Sequence, residues 1–290
     1  MAAGTTDTTR RGHLPGTTPI LGVLIALTLT AIGVARHPSA IQGDGTRLFG
    51  VDVVLLMIYG IAGLWVRYRG SAQLGVATRV GTMTGFVLGA ILVGNHVTEL
   101  FVPVRNFSLV IGPVFLAVAL LGATGSAVME RTRSVVLAAV AGVWCAMVGT
   151  LTLLCAGFAV NLLWETRCEL WLHQAFAASG LTDAGGFLIR NSLEAASEGL
   201  VRMPVMALLL SPIGAWINAW MRKRSRTIVV ASICCAFLCL IVGAAALFYA
   251  NALPRSRRPP FIFAGILLAG VALSAAHPGW SALRQHRRER

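Results

Sequence analysis

The sequence predicts an all-α fold, a polytopic integral membrane helical bundle of about eight transmembrane helices, and three observations carry that expectation. Hydrophobic residues make up 56% of the 290 positions and charged residues only 12%, about half the charged fraction of an ordinary soluble domain. Apolar runs long enough for a bilayer core recur between short arginine clusters. Most of these runs lack the polar face that a helix on a water-soluble domain presents.

A hydrocarbon layer of roughly 30 Å takes about 20 residues at 1.5 Å each. Runs of that size extend from about Thr17 to Ala35, Leu48 to Val66, Val80 to Val104, Phe107 to Met129, Val135 to Trp164, Met203 to Met221, Thr227 to Ala250 and Pro260 to Ala276. The first and last are the weakest, so seven helices is the alternative. The chain then divides into a tail over 1–16, five helices over 17–164, an amphipathic connection over 165–202, three helices over 203–280 and a basic tail over 281–290.

Arginine and lysine set orientation, because their translocation is disfavoured. With both termini in the cytoplasm, fifteen basic residues fall inside, among them Arg67, Arg69, Arg131, Arg133 and Arg222 to Arg224, and nine outside. Arg255, Arg257 and Arg258 fall on the wrong side, as the seven-helix alternative would correct. Trp65, Tyr68, Trp216, Trp220 and Trp280 sit near inner ends and Trp164 and Trp171 near an outer one, where interfacial belts form. Arg10 and Arg11 before the first run also suit a twin-arginine signal, but inside-positive topology accounts for them more simply.

The net charge of +13 does not point to nucleic acid, since the arginines are split into clusters that meet anionic headgroups instead of forming a stripe. The expected partners are the lipid bilayer and other membrane proteins. Five of the six cysteines lie in apolar runs and none has zinc or redox spacing, so no cofactor is expected, and the sequence leaves a metal undecided. Glu169 and His173 stand one turn apart, but their spacing does not demand a metal.

One set of residues stands out as a candidate intramembrane polar site. Gly81, Gly85 and Gly89 form a small-xxx-small helix-packing face on the third run. At 100° per residue, His96 and Glu99 project close to that face and Asn95 falls within reach of the same seam. Asp52 joins them if the second and third helices pack together. Ionisable groups at membrane depth are expensive and mark function by default. The plainer alternative is a local His96–Glu99 hydrogen bond, or Glu99 reaching Arg105 or the headgroups.

Eight of the eleven acids, including Asp44, Asp52, Glu99, Glu165 and Asp183, fall on the outer side of this topology. Such a distribution draws cations to an outer mouth, although acids also collect wherever arginines are excluded. Arg190, Glu194, Glu198 and Arg202 recur at i, i+4 and read as a charge ladder on an exposed helix face. Pairing Thr78-Arg79 with Thr132-Arg133 suggests a weak duplication of two helical hairpins, for which chance is an equal account.

No phosphate loop, nucleophile elbow or zinc-helix motif is present, and the Gly-rich stretch 122–126 lies inside a span, where helix packing explains it. An enzyme is therefore not supported. The reading that uses these residues is a secondary transporter or permease-like protein with an outward-facing acidic vestibule. The alternative is a non-catalytic subunit or scaffold of a membrane complex.

Overall fold

The structure, a computed structural model, describes residues 14–101, 107–179 and 181–222. Every regular element among them is helical: α1 (Leu14–Arg36), a short 3-10 turn (Pro38–Ile41), α2 (Asp44–Arg69), α3 (Ala72–Phe101), α4 (Phe107–Thr132), α5 (Val135–Leu163), α6 (Glu165–Ser179) and α7 (Ala184–Arg222). Six of these, all but the 3-10 turn and α6, are long and apolar enough to cross a membrane. The runs Thr227 to Ala250 and Pro260 to Ala276, and both terminal tails, lie outside the described residues.

The fold is an all-α membrane bundle, and the side chains on its outside show why. Leu21, Leu24, Ile25, Met57, Ile58, Ile61, Leu208 and Leu209 are all well exposed. A water-soluble protein rarely shows apolar surface on that scale, whereas hydrocarbon accepts it. Trp65, Tyr68 and Trp216 are exposed near one end of the bundle and Trp164 near the other, where amphipathic rings meet the headgroup layers.

The helices outrun the apolar segments that announce them. α3 begins eight residues before Val80, because Ala72 to Arg79 is a helix-forming stretch that buries Leu74 and Ala77. α7 begins at Ala184, well before Asn191, and continues through Pro204 and Pro212. At about 1.5 Å per residue its 39 residues span nearly 60 Å, so it stands well beyond one hydrocarbon layer.

α5 is the axis. Its mean composition is apolar all round, and 61% of its spanning window is buried, against 22% for α2. Its most extensive contacts are with α3 and α7, followed by α4 and α1. On α3, a Cβ added at Gly81 would lie 2.6 Å from the Ala141 carbonyl oxygen, and one at Gly85 would lie 2.8 Å from that of Cys145. The two backbones touch there, which brings Trp144 within reach to donate its Nε1–H to Thr82 Oγ1 at 2.9 Å.

α4 and α7 meet as closely. A Cβ on Gly125 would overlap the Ser211 backbone, and one on Gly214 the Gly122 backbone, so the glycine-rich stretch of α4 is a packing surface. Ser211 Oγ donates to the Leu121 carbonyl at 2.9 Å, and the fully buried Asn218 Nδ2 donates to Ser126 Oγ at 2.8 Å.

The duplication suggested by the Thr-Arg pairs does not match the elements. Thr78-Arg79 lies inside α3, whereas Thr132 ends α4 and Arg133, with φ of 56°, turns the chain into α5. Ser134 then caps α5 by accepting from the Leu137 N–H at 3.3 Å.

α2 joins α7 through one buried hydrogen bond whose origin is chemical. A proline has no N–H, so Pro204 leaves the carbonyl of Leu200, four residues earlier, without its helical donor. Tyr59 of α2 supplies one: its hydroxyl donates to that carbonyl at 2.7 Å. Tyr59→Phe is expected to cost about 1–3 kcal/mol, the penalty of an orphaned buried carbonyl. In a Pro204→Ala background the helix satisfies Leu200 itself, so the same change should cost less. A double-mutant cycle of unfolding in detergent tests this, and equal penalties in both backgrounds would refute the coupling.

Candidate functional site

A cavity of about 190 Å3 lies between α3, α5 and α7, toward the end of the bundle where α6 packs. Most of its wall is apolar: Leu153, Leu154, Phe158, Leu172 and Leu188 contribute, with Ala195 and Ala196. Among the described residues four polar side chains line it, His96 from α3, Asn161 from α5 and the pair Asn191 and Ser192 from α7. The space suits on the order of ten waters or one small solute.

Local structure fixes these groups before anything binds. Ser192 Oγ donates to its own helix at the Leu188 carbonyl, 2.8 Å away, and accepts from Asn161 Nδ2 at 2.7 Å. Asn161 Oδ1 accepts from the Cys168 thiol of α6 at 3.3 Å. Among the described residues Asn161 donates one of the two amide hydrogens that a carboxamide carries. Cys168 is fully buried, and its bond to Asn161 ties the amphipathic helix down over the cavity. Burial and the nearby Glu165 and Glu169 carboxylates push the Cys168 thiol up to about 11, so it is a neutral hydrogen-bond donor at ordinary pH.

The candidate residues named from sequence are not all brought together. His96 lines the cavity; Asn95, next to it on α3, is partly buried and does not. Glu99 follows one turn later in α3, but its side chain lies outside the described set. Asp52 sits on another face. It shares the buried stripe of α2 with Leu56 and Tyr59, which pack against Ile189, Leu193 and Leu200. Phe158, Leu154 and Ala196 belong both to that apolar cluster and to the cavity wall. Gly81, Gly85 and Gly89 pack α3 on α5 and so set where His96 falls; the Gly89 position would place a Cβ 2.5 Å from Thr152 Cβ.

Among the described residues no carboxylate lines this space; Glu165 and Asp183 are placed elsewhere. They form a second polar cluster at the same end of the bundle. His37, just after α1, places Nε2 2.9 Å from Glu165 Oε1 at the start of α6 and Nδ1 3.6 Å from Asp183 Oδ1 before α7. Ser39 Oγ donates to the other Asp183 oxygen. Gly185 and Gly186 make this possible, because a Cβ at either would overlap His37 or Ser39. Asp44 meets Arg190 at 3.6 Å and Glu198 meets Arg202 at 2.9 Å. Among the described residues no group of three metal-ligating side chains converges.

The Ser39 hydroxyl, then the Gly186 amide, hold the Asp183 carboxyl below its ordinary value of 3.8, and His37 adds to the effect. A carboxyl lowered in the folded state contributes stability that is present above its unfolded value and lost as pH falls through its folded one. Thermal unfolding in detergent between about pH 6 and about pH 3 should therefore fall more steeply for the wild type than for Asp183→Asn. Parallel curves would show that the cluster contributes nothing to acid stability.

Fold and site together define a multi-pass α-helical membrane protein with a polar-lined cavity off its central helix. No family model, no curated protein and no solved structure matches the chain.

Proposed function

We propose that the chain is a secondary transporter or permease-like protein for a small, uncharged or zwitterionic solute held by His96, Asn161, Asn191 and Ser192. The observation that supports this is the convergence of four polar side chains from three spans on one otherwise apolar cavity, the composition that small-molecule sites share. A lining of His, Asn and Ser side chains with no carboxylate among the described residues suits a solute that hydrogen-bonds more than it ion-pairs.

In this reading the end of the bundle that carries α6 faces outward. The turns at 70–71 and 133–134, and both termini, face the cytoplasm of a cell membrane. Segment 165–202 is the outer connection that roofs the cavity through Leu172. Glu99 follows His96 by one turn of α3, and Asp52 takes no direct part in holding the solute.

The test is a thermal-stability screen of purified protein against small polyols, amides, sugars and amino acids, followed by proteoliposome uptake of any solute that raises the unfolding temperature. A stabilising solute that accumulates in vesicles supports the proposal. No stabilisation and no uptake across that panel, with stable co-purification of another membrane protein, would instead favour a non-catalytic subunit or scaffold.

A further inference from the structure

α2 meets α7 along a single seam, and three polar side chains mark its length. Arg190 Nη2 lies 3.6 Å from Asp44 Oδ2 at the α6 end. Fifteen residues along α2 from Asp44, the Tyr59 hydroxyl donates to the Leu200 carbonyl. Asp52 stands between them and differs from both. It is 3% exposed, and among the described residues neither of its carboxyl oxygens has a hydrogen-bond partner.

Among the described residues its neighbours offer no compensation. Leu56 and Tyr59 follow it on the buried stripe of α2, and the cluster they join is built of Val23, Ala26, Ile189, Leu193, Ala196 and Leu200. The charged groups on the elements packed against α2 are committed elsewhere or exposed. Arg36 is exposed at the end of α1, and His37 faces Glu165 and Asp183. On α7, Arg190 serves Asp44, Arg202 pairs with Glu198, and Glu194 is exposed. On α2 itself Arg47 is exposed.

An ionised carboxylate sealed from water with no donor is among the costliest arrangements in a protein interior, and the protonated acid costs far less. A hard metal ion does not resolve the problem, since it requires several converging oxygen ligands and no such group of ligating side chains occurs among the described residues. The proton is the cation that one lone carboxyl can bind.

We infer that Asp52 is a proton-binding site in the α2–α7 seam: the closed seam holds the neutral acid, and release of the proton requires α2 to part from α7. On opening, the O–H bond breaks, the electron pair stays on the carboxylate and the proton passes to water entering the seam. The Tyr59 bond and the Asp44–Arg190 pair are the ties that yield. Both belong to the seam alone, so the site stands whether or not the cavity beyond Phe158 carries a solute.

Infrared difference spectroscopy on the full chain in lipid nanodiscs, stepped through pH, tests this. The expected result is a protonated-carboxyl band at neutral pH that is lost in Asp52→Asn, a variant isosteric with the neutral acid. A second measurement needs no variant. A hydrophobic carbodiimide, which takes up the proton of a carboxylic acid on nitrogen and its oxygen on the central carbon to give an O-acylisourea, should modify Asp52 in peptide maps of the wild type, and the modification should decline as pH rises. Indistinguishable acid-region spectra for wild type and Asp52→Asn, or carbodiimide modification confined to other carboxyls, would overturn the inference.

Discussion

Gly125→Leu is expected to abolish the folded bundle. A Cβ at this position would overlap the carbonyl oxygen, carbonyl carbon and Cα of Ser211, and backbone cannot rotate aside as a side chain can. Gly142 of α5 abuts the Ser211 side chain, so the three helices α4, α5 and α7 are locked at one level. Separating them breaks the Ser211 bond to Leu121 and the Asn218 bonds to Ser126. Overpacking typically costs about 1–3 kcal/mol and more where nothing gives; interhelical hydrogen bonds in membranes add about 0.6 kcal/mol each. Gly50→Ala is the matched control, since its Cβ meets nothing within 4 Å. Size-exclusion profiles and thermal unfolding in detergent check the pair. A monodisperse Gly125→Leu protein with wild-type stability would show that α4 and α7 do not touch there.

His96→Ala is expected to remove solute-dependent stabilisation and reduce uptake by at least about tenfold, the loss of roughly 1.4 kcal/mol of binding. Among the described residues its ring is the only polar side chain of α3 in the lining, and its removal leaves Asn161, Asn191 and Ser192 in place on α5 and α7. Glu99→Ala should also lower uptake while leaving membrane insertion and thermal stability intact. Asn161→Leu should do more damage, because it also removes the donor to Ser192 Oγ and releases the Cys168 tie to α6. Uptake that survives both His96→Ala and Glu99→Ala would show that neither residue carries transport. A loss of stability alone would instead mark a buried polar pair.

How far the sequence reaches is clearest from residues that share a helix. Gly81, Gly85 and Gly89 are visible as a spacing, and the spacing says that some backbone comes close. It does not say that the backbone is that of α5, because every apolar span offers the same greasy surface in one dimension. Asn161 was equally visible as a polar residue between Val160 and Leu162. Its partners Ser192 and Cys168 stand in α7 and α6, so its role emerges only when those helices are placed.

His37 illustrates the opposite limit. Between Arg36 and Pro38 it reads as a loop histidine, yet it meets Glu165 and Asp183 from two elements more than a hundred residues downstream. The Asp-Ala-Gly-Gly start of α7 was the available signal, an acidic cap followed by two residues without side chains. What those glycines accommodate depends on α1.

By itself the sequence determined that this chain is a helical membrane protein, because hydropathy over 20 or so residues is a local quantity and hydrocarbon demands that backbone bonds close within each span. The tertiary structure alone decided that α5 is the axis, that His96 but not Asp52 lines the cavity, and that Glu165 and Asp183 meet His37 instead. Those are questions of which face turns toward which helix. In a medium as apolar as the side chains themselves, close packing and a few interhelical hydrogen bonds answer them, and neither is written in composition or periodicity.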